Sequence, residues 1–223
     1  MKIRAKKINP KKLHMQKVAA GLFARNGFDS VSIIDIGNAA GLNSSMVSYY
    51  FGGKMELYDA IATDLFNVQT ECIKNLISIE EFRNLNQKQK ITKLGTVIDK
   101  FVDFFYNEIS PDMVMLLLRE QQDPSQSHNL IEKSPLIAYL RELIGDILGL
   151  SIDSKLVVFG TISMVSLMGA PRLFSALSKE LLKQEELLQE DVIIIKENLK
   201  NYVSGLVNQC LSKSNSLSSL KLV

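Results

Sequence analysis

Apolar residues fall at helical spacing along most of this chain, and the glycines and prolines that interrupt them sit at helix ends rather than in strand-like alternation. Asn9-Pro10 suits a helix start, with the asparagine at N-cap and the proline in the first turn. Ser32-Ile33-Ile34-Asp35 has the spacing of a capping box, in which Ser32 caps a helix and Asp35 reaches back. Ile33, Ile36, Ala39 and Ala40 give that helix an apolar stripe, and Gly41 ends it, where a left-handed residue needs no Cβ. Asn43 can cap a further short helix from about Ser44 to Tyr50, with Leu42 and Val47 as inward anchors. So short a helix cannot stand alone in water, so tertiary packing must hold it.

Beyond Lys54 the pattern predicts helix throughout. A long helix runs from Lys54 to about Leu76 with Leu57, Ile61 and Leu65 inward, and a second covers Ile91 to Asn107. Ser110-Pro111 and Ser134-Pro135 repeat the cap-then-proline signal and open helices to about Gln122 and Leu148. Asp153 or Ser151 caps the next, which reaches Met168 and breaks at Gly169-Ala170-Pro171. A last helix spans Asp191 to Leu211. Glu80 to Gln89, Asp123 to Ser127 and Ser178 to Glu190 read as polar connections, and residues 213–223 as a frayed, serine-rich tail. The fold class is all-α.

The segment from Phe28 to Tyr58 carries the chemistry. Two short helices joined by a glycine turn can lay the second helix in the major groove of DNA. Ser45, Ser48 and Tyr49 stand at i, i+3 and i+4 and share its outward face, where small polar side chains approach base edges closely. Lys54 opens the following helix, where a cation opposes the helix dipole unless a bound phosphate reverses the balance. The alternative is a solvated lysine. Tyr50 either donates its hydroxyl to phosphate or packs beside Phe51.

Ala19, Leu22, Phe23, Ala24, Gly27, Phe28, Asp35-Ile36, Ala39-Ala40-Gly41, Tyr49-Tyr50-Phe51, Lys54 and Leu57 together resemble the DNA-binding domain of TetR-family transcriptional regulators. The resemblance implies an N-terminal three-helix helix-turn-helix domain over residues 1–54. It also implies a helical effector-binding and dimerisation domain over 55–212. The DNA-contacting residues it points to, with the reading above, are Ser32, Asn43, Ser44, Ser45, Ser48, Tyr49, Tyr50 and Lys54, joined by Lys6 and Lys7 of the basic arm. Two positions depart from the family pattern. Gly37 stands where alanine is usual, at the crossing of the two helices. Ile34 stands where a polar residue often lies near the DNA backbone, so a phosphate contact is expected to be absent there.

Charge agrees with this division. Residues 1–60 hold nine Lys/Arg against four Asp/Glu, a net of +5, within a chain of net +2. Lys2, Arg4, Lys6, Lys7, Lys11 and Lys12 form an arm that either binds phosphate without reading sequence or serves as a solubilising tail.

Other classes find less support. There is no GxSxG, Walker or HExxH motif, and His14 and His128 stand far apart, so an enzyme is not expected. Cys72 and Cys210 lack metal spacing and suit a reducing cytoplasm. No signal peptide is visible, and the longest apolar stretch, Leu156 to Ala170, is broken by Gly160, Thr161 and serines, so no membrane association is expected. No metal or cofactor is called for.

In the second half, Phe104, Phe105, Met113, Met115, Met164 and Met168 are either pocket lining or plain core. Arg119 ends an apolar run in LLLREQQDPSQ, which resembles a segment of the CecR-like subset of the family. It either pairs with Glu120 or Glu142 or meets an anionic ligand group. A single short reading helix touches only a few base pairs, so two are needed, about 34–36 Å apart, on a palindromic operator. Leu156, Val157, Ile162, Val165, Val192, Ile195, Leu199, Val203 and Leu206 are the interface candidates, or core. The expected function is a homodimeric repressor released from double-stranded DNA by a small molecule. The alternative is a DNA-binding regulator without an effector, controlled by abundance or a protein partner.

Overall fold

The computed structural model describes residues 9–122 and 130–219. Among them eleven helices follow one another without a strand: α1 (Pro10–Asn26), α2 (Ile33–Ala40), α3 (Ser45–Phe51), α4 (Lys54–Lys74), α5 (Ile79–Arg83), α6 (Gln87–Asn107), α7 (Pro111–Gln122), α8 (Pro135–Leu148), α9 (Lys155–Leu173), α10 (Ser175–Leu182) and α11 (Gln189–Ser219). The all-α expectation holds. The turn expected at Asp123 to Ser127, the arm residues Lys2, Arg4, Lys6 and Lys7, and His128 lie outside the described residues.

Most helix starts follow their caps. Asn9 Oδ1 accepts from Lys11 N at 3.0 Å with Pro10 in the first turn of α1. Ser32 and Asp35 complete the capping box of α2, and Gly41 takes the left-handed conformation at φ 64°. Ser134 and Gly149 bracket α8 in the same manner.

Several boundaries differ from the sequence reading. Glu80 to Gln89 is not a loop, because Ser78 with Glu81 and Asn86 with Gln89 form two further capping boxes that start α5 and α6. Ser154 rather than Asp153 or Ser151 caps α9, and Pro171 lies inside that helix instead of ending it at Met168. The proline withholds only one N–H in the final turn, and Arg172 anchors that turn by donating to the carbonyls of Phe105, Tyr106 and Ile109 at 2.7–2.8 Å. Part of the charged connector is α10, and α11 runs on to Ser219, beyond the expected end near Leu211.

The chain packs as two compact units, Met1–Val68 with Ser110–Lys133, and Gln69–Ile109 with Ser134–Val223. Packing therefore divides the chain elsewhere than at 54/55. Leu57, Tyr58 and Ile61 of α4 and Leu116 of α7 join Met15, Phe23, Ile36 and Val47 in the first core. The second core gathers Ile98, Phe101, Leu140, Leu143, Val157, Met164 and Leu199. Each such side chain, fully buried, contributes about 1.5–3 kcal/mol, which is how a helix as short as α3 persists through Val47. By length and hydropathy α9 also reaches the range of a membrane-spanning helix, which its interrupted apolar run did not suggest. One side of it, Val157, Thr161, Met164 and Met168, is buried in the second core.

Candidate nucleic-acid interface

The first unit builds its reading head from the α1–α2 loop outward. Gly27 ends α1 at φ 85°, and its N–H bonds the Phe23 carbonyl. Ser32 Oγ accepts from Asp35 N at 3.1 Å, while Asp35 Oδ2 accepts from Ser32 N at 2.8 Å. The Ser32 hydroxyl, which donates to Asp35 Oδ2 at 2.6 Å, and then the Ser32 N–H hold the Asp35 carboxyl below its ordinary value. Ile33 and Ile36 turn inward as expected, but Ala39 is exposed and does not belong to the apolar stripe. Ile34 is 62% exposed, an apolar side chain on the outer surface of α2.

Gly37 marks the crossing with α3. A Cβ built there would come within 2.8 Å of Ser44 Cα and 2.9 Å of Ser44 N, so this crossing leaves no room for the methyl group of alanine. Asn43 caps α3 as read from the sequence, its Oδ1 accepting from Ser45 N at 2.9 Å. Val47 is fully buried and Leu42 partly so. Ser45, Ser48 and Tyr49 all point outward, with Tyr49 78% exposed, and Ser44 is half-buried beneath them. Such a surface can enter a groove without desolvating a charge.

Tyr50 packs beside Phe51, one of its two expected arrangements. Its hydroxyl lies 3.4 Å from Asn9 Nδ2, and its ring packs edge-on to both Tyr49 and Phe51. Lys12 Nζ stands 4.9 Å from the centre of the Phe51 ring. These contacts bring the start of α1 beside the end of α3, a juxtaposition that sequence spacing cannot reveal.

Lys54 is not simply solvated. Its Nζ donates to the carbonyls of Phe28 and Val31, both at 3.0 Å, and sits 4.4 Å from the Phe28 ring centre. An ammonium has three donors, so one remains for another acceptor. Phe28 also packs edge-on to Tyr58 at 5.3 Å, and burial drives the Tyr58 hydroxyl to a strongly raised pKa.

The proposed pocket residues do not converge within either unit. Met113, Met115 and Arg119 belong to the first, whereas Phe104, Phe105, Met164 and Met168 belong to the second. Met113 packs on the first core and Met115 is exposed. Met164 and Met168 are buried beside a void of about 10 Å³, room for one water at most, so they are core. Arg119 pairs with neither Glu120 nor Glu142. Its Nε and Nη2 donate to the carbonyls of Ala24 and Arg25, while Glu142 accepts from Arg83. An open groove of about 730 Å³ does lie in the second unit, lined by Leu76, Ile77, Leu85 and Val97, with Lys88, Lys93 and Lys100 and one carboxylate, Glu81, among its polar residues.

The interface candidates divide in two. Val157, Val192, Ile195, Leu199 and Val203 are buried in their own unit, and Val165 and Leu206 are half-buried. The outward apolar residues of the same helices include Leu156, Phe159, Ile162 and Leu167 of α9 and Ile193 and Ile194 of α11. Helical spacing alone does not say which stripe of these helices faces outward.

Comparison with known proteins agrees with this architecture. The pattern described as "Bacterial regulatory proteins, tetR family" matches residues 17–61. That of the "HTH-type transcriptional dual regulator CecR, C-terminal domain" matches residues 91–206, just over half of the chain. No curated protein matches the full sequence. Among solved structures, a TetR-like transcriptional regulator from Rhodococcus sp. RHA1 superposes with a TM-score of 0.57 at 17% identity, covering 86% of this chain and 93% of its own. The ketosteroid transcriptional regulator KstR2 of Mycobacterium tuberculosis gives 0.57 at 14% identity, covering 89% and 96%. The fatty acid degradation regulator FadR of Bacillus halodurans gives 0.57 at 12% identity, covering 91% and 97%. With the capped α2–turn–α3 head and the match over its C-terminal half, the chain belongs to the TetR family of DNA-binding transcriptional regulators, with a C-terminal domain of the CecR type.

Proposed function

We propose that this regulator is a homodimeric repressor that reads a palindromic operator with α3. The observation that carries the reading is the outward face of α3. Ser45, Ser48 and Tyr49 are exposed together on a helix whose opposite side is anchored by Val47. Tyr50 and the third Lys54 donor flank that face as phosphate contacts, with Ser32, Asn43 and Ser44 at the helix starts and Lys6 and Lys7 from the arm. Serines make few bidentate base contacts, so the shape and deformability of the operator contribute to recognition. Phe159, Ile162, Ile193 and Ile194 favour pairing of two copies, since a single chain leaves them uncovered. A protein acting on operators in this way works in the cytoplasm.

Release by a small molecule is proposed for the second unit. The groove over Leu76, Ile77 and Val97 supports an apolar effector carrying negative charge, and the names of two fold neighbours refer to ketosteroid and fatty acid degradation regulation. A regulator without an effector is the second reading, supported by the filled core around Met164 and Met168.

The test is fluorescence anisotropy on a duplex that the protein selects from a random pool, against a shuffled duplex across a salt series. A specificity ratio above about 10³ is expected for the wild type. Ser45→Ala and Tyr49→Ala should each lower that ratio while leaving binding to shuffled DNA unchanged. Equal losses on both duplexes would remove α3 from base readout.

A further inference from the structure

The reading head itself uses α1 to α4, yet the first unit also contains α7. This helix packs on the head through Leu116, and two of its polar residues, Arg119 and Glu120, tie it to neighbouring elements of the head. Arg119 closes the C-terminal end of α1. Its Nε donates to the Ala24 carbonyl at 3.1 Å and its Nη2 to the Arg25 carbonyl at 2.7 Å, across 95 and 94 positions of sequence. Carbonyls in the last turn of a helix lack intrahelical partners and carry the negative end of its dipole, so a forked cation fits there in both geometry and charge. Asp112, at the other end of α7, meets Arg25 from the exposed side at 3.5 Å.

Glu120 makes the second connection, and it is only 6% exposed. Its carboxylate accepts from the Tyr58 hydroxyl at 2.7 Å and from Leu130 N at 3.0 Å. Tyr58 in turn packs on Phe28, and the Phe28 ring carries the Lys54 ammonium that holds the Phe28 and Val31 carbonyls. Arg119 and Glu120 thus grip the two sides of the α1–α2 loop, one at the end of α1 and the other through α4. That loop delivers Ser32 and α2, and α2 meets α3 at Gly37 without room for a Cβ. A buried carboxylate removed from its donors is costly, so the arrangement favours one register.

We infer that Arg119 and Glu120 are positioning residues of the DNA-binding head, which hold the α1–α2 loop from both sides and so fix the orientation of α2 and α3. Whatever shifts α7 therefore acts on the end of α1 and the start of α4 at once. This inference rests on α3 being the reading helix.

The test compares full-length Arg119→Ala, Arg119→Lys, Glu120→Ala and Glu120→Gln with the wild type. Two readouts are needed: hydrogen exchange by mass spectrometry, and affinity for the selected and shuffled duplexes. The Ala variants should speed amide exchange over residues 24–31 by about tenfold and leave residues 155–173 unchanged, each lost tie corresponding to roughly 1.4 kcal/mol. They should also lower the ratio of selected to shuffled binding by about tenfold, whereas a loss of folded protein alone would lower both affinities equally. Glu120→Gln keeps an acceptor for Tyr58 and should restore most of the ratio, while Arg119→Lys cannot fork to two carbonyls and should restore little. If an Ala variant does not fold, the Lys and Gln variants supply the same comparison. Wild-type exchange over 24–31 together with a wild-type ratio in folded Ala variants would overturn the inference. Should the wild type select no duplex, α3 loses its reading role, and exchange over 24–31 alone decides whether α7 positions the loop.

Discussion

Lys54 holds the α1–α2 loop through two backbone carbonyls and an aromatic face, which gives it a measurable structural role apart from any phosphate. Hydrogen bonds to a charged donor contribute about 1.5–3 kcal/mol at favourable sites and less where water competes. Lys54→Ala is therefore expected to lower the free energy of unfolding by about 1–3 kcal/mol, read by urea denaturation. The same substitution should reduce the salt dependence of DNA binding by about one unit if the remaining donor meets a phosphate. A stability loss with an unchanged salt slope would assign Lys54 to loop anchoring alone. The sequence offered a solvated lysine or a phosphate ligand for this position. The carbonyl anchor was hidden because Phe28 and Val31 lie more than twenty positions away, and no local rule connects them.

At the level of elements, the close crossing of α2 and α3 opposes two effects at Gly37. Alanine would favour the helix by up to about 1 kcal/mol, but its Cβ would meet Ser44 backbone atoms at 2.8–2.9 Å, and backbone cannot move aside cheaply. Forcing a methyl group into a packed contact costs about 1–3 kcal/mol, so the steric effect wins. Gly37→Ala should lower the melting temperature and weaken binding to the selected duplex more than to shuffled DNA, because α3 must shift. A more stable variant with intact selectivity would refute this account. The same scale shows what was readable in advance. The α2 box, the Asn43 cap, the outward trio of Ser45, Ser48 and Tyr49, and the Ser134-Pro135 start all follow from local chemistry. Ser78–Glu81 and Asn86–Gln89 carry the same signal, but their polar surroundings read as loop. Pro171 read as a stop because the Arg172 anchor in α6 is tertiary. Leu199 and Val203 stay open between interface and core in the sequence because periodicity finds an apolar stripe without saying which neighbour covers it.

For the whole molecule, the proposed pairing of two copies through the outward apolar residues of α9 and α11 would bring two reading heads to DNA. Phe159 is 63% exposed, Ile162 53%, Ile193 58% and Ile194 57%, too much apolar surface for a lone soluble chain to leave uncovered without cause. Because none of the four belongs to the second core, a charge placed on one of them leaves the fold of a single chain intact. The same charge buried between two copies would face its own symmetry mate or an apolar wall, at a cost of several kcal/mol. Phe159→Asp is therefore expected to give a folded monomer by sedimentation, with the helical circular dichroism of the wild type. Its binding to a full palindrome should fall to that of a half-site, since one α3 contacts only a few base pairs and the second no longer arrives with it. Val157→Asp is the contrasting variant: it buries an unpaired carboxylate in the second core and should unfold that unit instead. A Phe159→Asp protein that remained dimeric and kept full palindrome affinity would move the interface away from α9 and α11.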